Sequence, residues 1–133
     1  MMREQRPWLA QVPWQTVVAT NQELCQKDKQ PHEPNAERYE QAEKLWNEAA
    51  ARTLPLSEVI EMFRKIHQLA PFKFFNGNTM AAVARKMIEP ELAGVPSMQA
   101  QMVRSTIAHY VVGAIKAREL ESVLEHLKQL KRG

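Results

Sequence analysis

Eight prolines divide this chain of 133 residues into short segments, and within most of them apolar residues recur three or four positions apart. That spacing places apolar side chains on one face of an α-helix, and no alternating run of β-branched residues indicates a strand. A chain of this length fits one domain, which buries about two thirds of the surface that the unfolded chain exposes. The sequence therefore predicts an all-α fold, a single-domain bundle of five or six helices spanning residues 1–133.

Prolines and capping residues set the expected bounds of the helices. Helices are predicted over residues 13–26, 35–52, 56–69, 78–89 and 98–116, and a further apolar stripe covers residues 120–130. The stripe changes phase after Ile115, so either a break falls near residues 117–119 or one long helix contacts two surfaces. Residues 1–12 are expected to form an extended arm, and the polar segment 27–34 a surface linker.

Composition indicates the cellular compartment in which the protein is expected and the kinds of binding site it can contain. Cys25 is the only cysteine, so no internal disulfide can form, and no CxxC pair or Cys/His cluster offers a metal site. We therefore expect a reducing, cytoplasmic setting, with no metal and no cofactor. No apolar run approaches the roughly 20 residues that a transmembrane helix needs, so no membrane association is expected. The motifs of the common enzyme classes are missing as well, and no residue is assigned a catalytic role.

Charge is distributed unevenly along the chain. Residues 1–62 carry 7 Lys and Arg against 10 Asp and Glu, whereas residues 63–133 carry 11 against 5, so the two halves have net charges of −3 and +6. The basic residues of the interval 63–118 are Arg64, Lys65, Lys73, Arg85, Lys86, Arg104, Lys116 and Arg118. If these side chains share a face, they would attract a phosphate-bearing partner, which makes nucleic-acid binding one alternative function.

The most unusual stretch is the loop between the third and fourth predicted helices. Phe72, Phe74 and Phe75 are too apolar for an ordinary connector, and Gly77 permits a left-handed backbone. Either the aromatic side chains plug the core, or Lys73 and the N–H groups of residues 77–79 bind an anion. The candidate ligand-binding or anion-binding residues are His67, Lys73, Asn76, Gly77, Asn78, Thr79 and Arg85.

The stretch IHQLAPFKFFNGNTMAAVAR, residues 66–85, resembles the signature loop of the Fic-family nucleotidyl transferases. In that family a histidine acts as the base directly before Pro-Phe, an acid precedes Gly-Asn, and an arginine follows within two residues to hold phosphates. Here Ala70 precedes Pro-Phe, and Thr79-Met80 stands where Gly-Arg is expected. The resemblance therefore implies a degenerate Fic-like nucleotide-binding protein, in which His67 and Arg85 approach the loop from the two flanking helices.

Several apolar side chains are candidates for contact with another subunit. The candidate interface residues are Trp8 and Leu9 in the arm and Leu120, Leu124 and Leu127 in the C-terminal stripe. The methionines Met80, Met87, Met98 and Met102 could form an adaptable surface that accepts a partner helix, or could fill gaps in the core. We expect a small helical interaction or regulatory module that forms a homo-oligomer, with an unidentified protein partner. Nucleic-acid binding and a Fic-like role are the alternatives.

Overall fold

The computed structural model of this protein describes residues 5–132 of the chain. Within that range the helices are α1 (Trp14–Lys27), α2 (Ala36–Ala50), α3 (Leu56–Leu69), α4 (Asn76–Ile88), α5 (Ser97–Val111) and α6 (Ala117–Arg132). A short 3₁₀ turn, Glu89–Leu92, follows α4. The all-α prediction is confirmed. Helix α4 packs against α1, α3 and α5, while α3 also contacts α2 and α6, so α3 and α4 form the middle of the bundle.

All the predicted bounds of α1–α5 except the end of α5 lie within two residues of those observed. Helix α4 begins at Asn76, two residues early, because Phe75 takes a left-handed φ of 63° and turns the chain directly into the helix. Helix α5 ends at Val111 instead of near residue 116, and Gly113 supplies a φ of 83° in the turn that follows. The C-terminal stripe is therefore a separate helix, α6, and the break falls before residues 117–119.

A small two-stranded sheet, which periodicity does not predict, holds the N-terminal arm. The strands β1 (Gln5–Arg6) and β2 (Leu54–Pro55) pair antiparallel. Two residues are too few to show an alternating pattern, so this pairing has no sequence signal. Leu9 is buried beside it, and the indole N–H of Trp46 donates to the carbonyl of Val12 at 2.9 Å. The described part of the arm, from residue 5, thus lies on its own subunit.

The core centres on a cluster of aromatic rings. Phe72, from the loop between α3 and α4, stacks on Trp14 with ring centroids 6.2 Å apart and meets Tyr39 edge-on at 5.9 Å. Trp46 joins Trp14 to Phe63 on the other side. Phe72 is 1 % exposed, whereas its neighbour Phe74 is 38 % exposed. For Phe72 the core-plug interpretation of the loop holds; Phe74 faces solvent and Phe75 is half-buried.

Glu91 connects the two ends of the described chain. Its carboxylate accepts two hydrogen bonds from the Arg6 guanidinium, at 2.8 and 3.0 Å, and forms an ion pair with Lys131 of α6. The hydrogen bonds from Arg6, followed by that from Lys131, hold the pKa of Glu91 below its usual range although partial burial raises it. The ionised form of Glu91 is therefore the form that stabilises the fold.

Replacing Phe72 by alanine should lower the free energy of unfolding by about 3–5 kcal/mol, because it removes a ring from the centre of the core and leaves a cavity. Phe74→Ala is the matched control. With its ring partly in solvent, it should cost less than about 1 kcal/mol. Urea unfolding of the two variants measures both values. Equal losses would contradict the assignment of Phe72 as the plug.

Glu91→Gln should lower the free energy of unfolding at neutral pH. It should also make that free energy fall less as the pH is lowered into the acidic range. A carboxyl whose pKa is depressed by folding adds stability above its unfolded pKa of about 4.3, and this contribution disappears as the pH falls through the folded pKa. Denaturation at neutral pH and near pH 3 measures the effect. Glu89→Gln, which removes the exposed partner of Arg104, should change stability less because solvent screens that pair.

Candidate functional site

The loop between α3 and α4 satisfies most of its polar groups internally. The Asn35 side chain donates to the carbonyls of Ala70 and Phe72 at 2.9 and 3.0 Å, and it makes no capping hydrogen bond to α2. The Asn76 side chain accepts from the N–H of Phe72 at 2.9 Å and donates to its carbonyl at 2.7 Å. Asn76 was a candidate ligand-binding residue, and the structure uses its side chain to hold this loop.

Asn21 forms the buried polar centre beneath the loop. Its amide nitrogen donates to the carbonyl of Phe74 at 2.7 Å and to the hydroxyl of Thr79 at 3.0 Å. Its oxygen then accepts from the Nδ1 of His32 at 2.8 Å and from the thiol of Cys25 at 3.5 Å. Both hydrogens and the oxygen of the amide are thus in use. In the sequence, Asn21 only interrupts the apolar stripe of α1, and that interruption was the available signal.

Of the remaining candidate residues of the loop, some have partners within the chain and others line a groove. Lys73 forms an exposed ion pair with Glu33 at 2.9 Å, and Thr79 is fully buried against Asn21. The linker 27–34 is mostly exposed, although His32 packs on Phe72 with ring centroids 5.7 Å apart. Gly77, Asn78 and Arg85 line a common groove, and neither Lys73 nor Thr79 is part of its lining.

This groove lies between α4 and α5 and has a volume of about 440 Å³. Its lining consists of Leu24, Gly77, Asn78, Ala81, Ala82, Arg85, Ala108, His109 and Val112. The lining is mostly small or apolar, and it contains no carboxylate. His67, the last candidate residue, lies beneath the groove: a Cβ on Gly77 would lie 3.2 Å from the Cε1 of His67 and 3.1 Å from the Cγ1 of Val112. Gly77 therefore allows α4 to approach both side chains.

The outer face of α5 continues this groove and is unusually apolar. Met98 is 87 % exposed, Met102 40 % and Val112 41 %. At 100° per residue Met98, Met102, Ser105 and His109 fall within an arc of about 60°, and Val112 is the C-cap residue that directly follows the helix. We call these five residues the α5 stripe. The sequence left open whether Met102 fills the core or lies on the surface. Val103, Ile107 and Tyr110 occupy the core and leave Met102 on the edge towards solvent.

The α5 stripe is also free of unbalanced charge. Helix α5 has 15 residues, and Arg104 is the only Lys, Arg, Asp or Glu among them. The guanidinium of Arg104 binds both oxygens of Glu89, at 2.5 and 3.0 Å. Helices α2 and α6, in contrast, carry charged side chains in nearly every turn. An uncharged, methionine-bearing face is the composition typical of the centre of a protein interface.

The interface residues proposed from sequence lie elsewhere, and three of them are used within the subunit. Leu9, Leu120 and Leu127 are buried in the core of their own chain. Trp8 and Leu124 are half-buried and line a second groove of about 710 Å³ between the arm, the start of α3 and α6. Charged side chains line much of that groove: Arg6, Glu91, Arg118, Glu121, Glu125, Lys128 and Lys131. The lining of the second groove therefore combines apolar and charged side chains.

The remaining features of the described residues concern metals, membranes and the thiol. No group of three or more His, Cys, Asp or Glu side chains within residues 5–131 has a geometry that could hold a metal ion. No helix in the described range is long and apolar enough to cross a membrane. Cys25 is buried, and burial raises the pKa of its thiol, so Cys25 has the character of a core residue rather than of an activated nucleophile.

Comparison with known proteins adds no further constraint, since no family model, curated protein or solved structure gives a match to this chain. The likeness to the Fic signature loop thus remains a resemblance in residues 66–85. The grooves and the α5 stripe have to be interpreted from their own geometry.

Cys25 should react with a thiol reagent at least about tenfold more slowly in the native protein than in denaturant, because burial limits both access and the fraction of thiolate. The measurement is the rate of colour release from Ellman's reagent. Equally fast reaction in both states would mean that the end of α1 does not hold Cys25 against Asn21.

Proposed function

We propose that the protein is a small helical interaction module that associates with itself through the outer face of α5. The observation that carries the proposal is the exposure of Met98 and Met102 on α5 and of Val112 directly after it, on a helix in which Arg104, the only Lys, Arg, Asp or Glu, is paired with Glu89. Burying apolar area contributes about 25 cal/mol per Å², so a partner covering this line would gain free energy. An exposed apolar line of this kind marks an interaction surface.

The line also matches the way in which helices recognise one another. Met98, Met102, Ser105, His109 and Val112 alternate at spacings of four and three, the pattern by which a helix presents one face to another helix. Methionine side chains are flexible and adapt to the shape of a partner. Of the four methionines considered from sequence, Met80 and Met87 fill the core, and Met98 and Met102 supply this surface.

Nucleic-acid binding has weaker support, because several cations of the interval 63–118 are engaged within the subunit. Lys73 pairs with Glu33 and Arg104 with Glu89. The guanidinium of Arg64 lies 4.9 Å from the centre of the Tyr110 ring, while the Tyr110 hydroxyl donates to Glu61. Five exposed cations remain without an ion pair among the described residues: Lys65, Arg85, Lys86, Lys116 and Arg118.

A Fic-like role has the least support of the three. Ala70 occupies the position of the family's catalytic base, and it takes a left-handed φ of 54° at the end of α3. The ammonium of Lys73 is paired with Glu33, and Arg85 lines the groove with α5.

We also propose that the module acts in the cytoplasm, which a single, unpaired and buried cysteine supports.

The double substitution Met98→Gln with Met102→Gln should shift the protein from dimer to monomer, raising the dissociation constant at least about tenfold through lost apolar burial. Sedimentation velocity over a range of micromolar concentrations measures this. Both side chains are exposed, so the melting temperature of a dilute sample should be nearly unchanged. Phe74→Gln, at an exposed phenylalanine outside the α5 stripe, is the matched control and should leave the dimer intact. Wild-type protein that sediments as a monomer at every concentration would contradict the proposal.

A further inference from the structure

The groove between α4 and α5 has the composition of a site for a small molecule. Six of its nine lining residues are apolar: Leu24, Gly77, Ala81, Ala82, Ala108 and Val112. The other three are Asn78, Arg85 and His109. Small-molecule sites combine a mainly apolar lining with a few polar groups that fix the orientation of the ligand, and they occupy roughly 300–1,000 Å³. The groove, at about 440 Å³, lies within that range.

One row of residues on α4 gives the groove its direction. Gly77, Ala81 and Arg85 follow one another at a spacing of four residues, so they lie on one face of the helix. At 1.5 Å per residue, Arg85 lies about 12 Å along the helix axis from Gly77. Gly77 is the end that meets Val112, since a Cβ on Gly77 would lie 3.1 Å from the Cγ1 of Val112. The groove therefore has an uncharged end at Gly77 and Val112 and a cationic end at Arg85.

Arg85 is a cation whose charge the described part of the chain does not balance. Arg6, Lys73, Arg104 and Lys131 each pair with a carboxylate of their own chain. Arg85, in contrast, is exposed and has no ion pair within residues 5–132, and the described groove lining contains no Asp or Glu. A guanidinium presents parallel N–H groups that match the two oxygens of a carboxylate. The charge of the groove is thus complementary to an anion.

The second groove lacks this complementarity. Arg118 lines it and is also exposed, but Glu91, Glu121 and Glu125 lie in the same lining. Their carboxylates would repel an anionic ligand and would leave no preference for a cationic one beside the basic residues there. The observations therefore favour the groove that contains Arg85.

His109 forms the α5 side of the groove and adds no negative charge to it. Its Nδ1–H donates to the carbonyl of Ser105 at 2.6 Å, which holds the ring beside the helix. A carbonyl oxygen only accepts hydrogen bonds, so the hydrogen is on Nδ1, and the Nε2 of the neutral ring is an acceptor. Arg85 is consequently the group in the lining that can hold a carboxylate.

We propose that this groove binds a small amphipathic carboxylic acid. The guanidinium of Arg85 holds the carboxylate, and the carbon chain lies along Ala81 and Ala108 towards Val112. With bonds of about 1.5 Å, a chain of roughly eight carbons covers most of the distance from Arg85 to Gly77. A small hydrated anion such as phosphate would leave the apolar lining uncovered and would gain nothing from it.

Titration of isotope-labelled full-length protein, followed through its amide NMR shifts, tests this site. The probes are octanoate and 1-octanol, which share a chain length and differ in the carboxylate, and acetate, which lacks the chain. Octanoate should bind with a dissociation constant below about 1 mM. It should bind at least about tenfold more tightly than either other probe, because only octanoate uses both Arg85 and the apolar lining. The shifts should centre on residues 77–85 and 108–112.

Four variants separate the parts of the site. Arg85→Gln should weaken octanoate binding at least about tenfold and leave octanol unchanged. Lys86→Gln is the matched control, since the exposed Lys86 lies next to Arg85 but outside the lining, and it should change binding less than about twofold. Ala81→Leu fills the groove and should weaken both probes. The double variant Met98→Gln with Met102→Gln should still bind octanoate, because neither methionine lines the groove.

That last variant makes the site independent of self-association, so either proposal can fail while the other stands. Equal losses from Arg85→Gln and Lys86→Gln would reveal general attraction to a basic surface and would overturn the site. Octanoate shifts centred on the second groove, or no shifts at millimolar octanoate, would overturn it as well. Tighter binding of N-acetylated leucyl-leucine than of octanoate would overturn a free acid as the ligand in favour of the C-terminus of a peptide.

Discussion

The buried amide of Asn21 is the interaction on which the remainder of the structure depends. The loop between α3 and α4 begins and ends at left-handed residues, Ala70 and Phe75, so helical hydrogen bonds cannot satisfy its backbone. Asn21 binds the Phe74 carbonyl and Thr79 in the first turn of α4, and thereby fixes where that helix starts. A buried polar group left without a partner costs about 1–3 kcal/mol, so loss of this amide would weaken the loop and α4 together.

The position of α4 in turn decides what α5 presents to solvent. Helix α4 lies between α1, α3 and α5, and its small residues, among them Gly77, Ala81 and Ala82, leave an open groove beside α5. The inner face of α5 packs on this frame through Val103, Ile107 and Tyr110. The outer face is left without Lys, Arg, Asp or Glu side chains, whereas helices α2 and α6 carry many. This contrast separates the α5 stripe from an ordinary surface.

The sequence predicted different parts of the molecule with different success. Helical spacing identified five helices and the apolar stripe of α6, because burial of one face requires that spacing regardless of partners, but it left open whether that stripe was a separate helix. It missed β1 and β2, which are two residues long, and it could not decide whether Met102 fills the core or lies on the surface, because periodicity cannot say how wide the buried face is. Of the candidate ligand residues, Gly77, Asn78 and Arg85 lie together in the groove. Lys73 instead forms an ion pair with Glu33, and Thr79 accepts a hydrogen bond from Asn21. Both partners are distant in sequence, so local patterns do not reveal them.

Local chemistry by itself thus determined the helical class, the approximate helix bounds and the presence of an unusual loop after Pro71. These features depend on periodicity, proline geometry and backbone freedom, which act over a few residues. Only the tertiary structure decided that Phe72 is buried while Phe74 is exposed, that the arm lies on its own subunit, and that the unused apolar surface is on α5. Those outcomes depend on which helix faces are already covered, and coverage is a property of the whole packed chain.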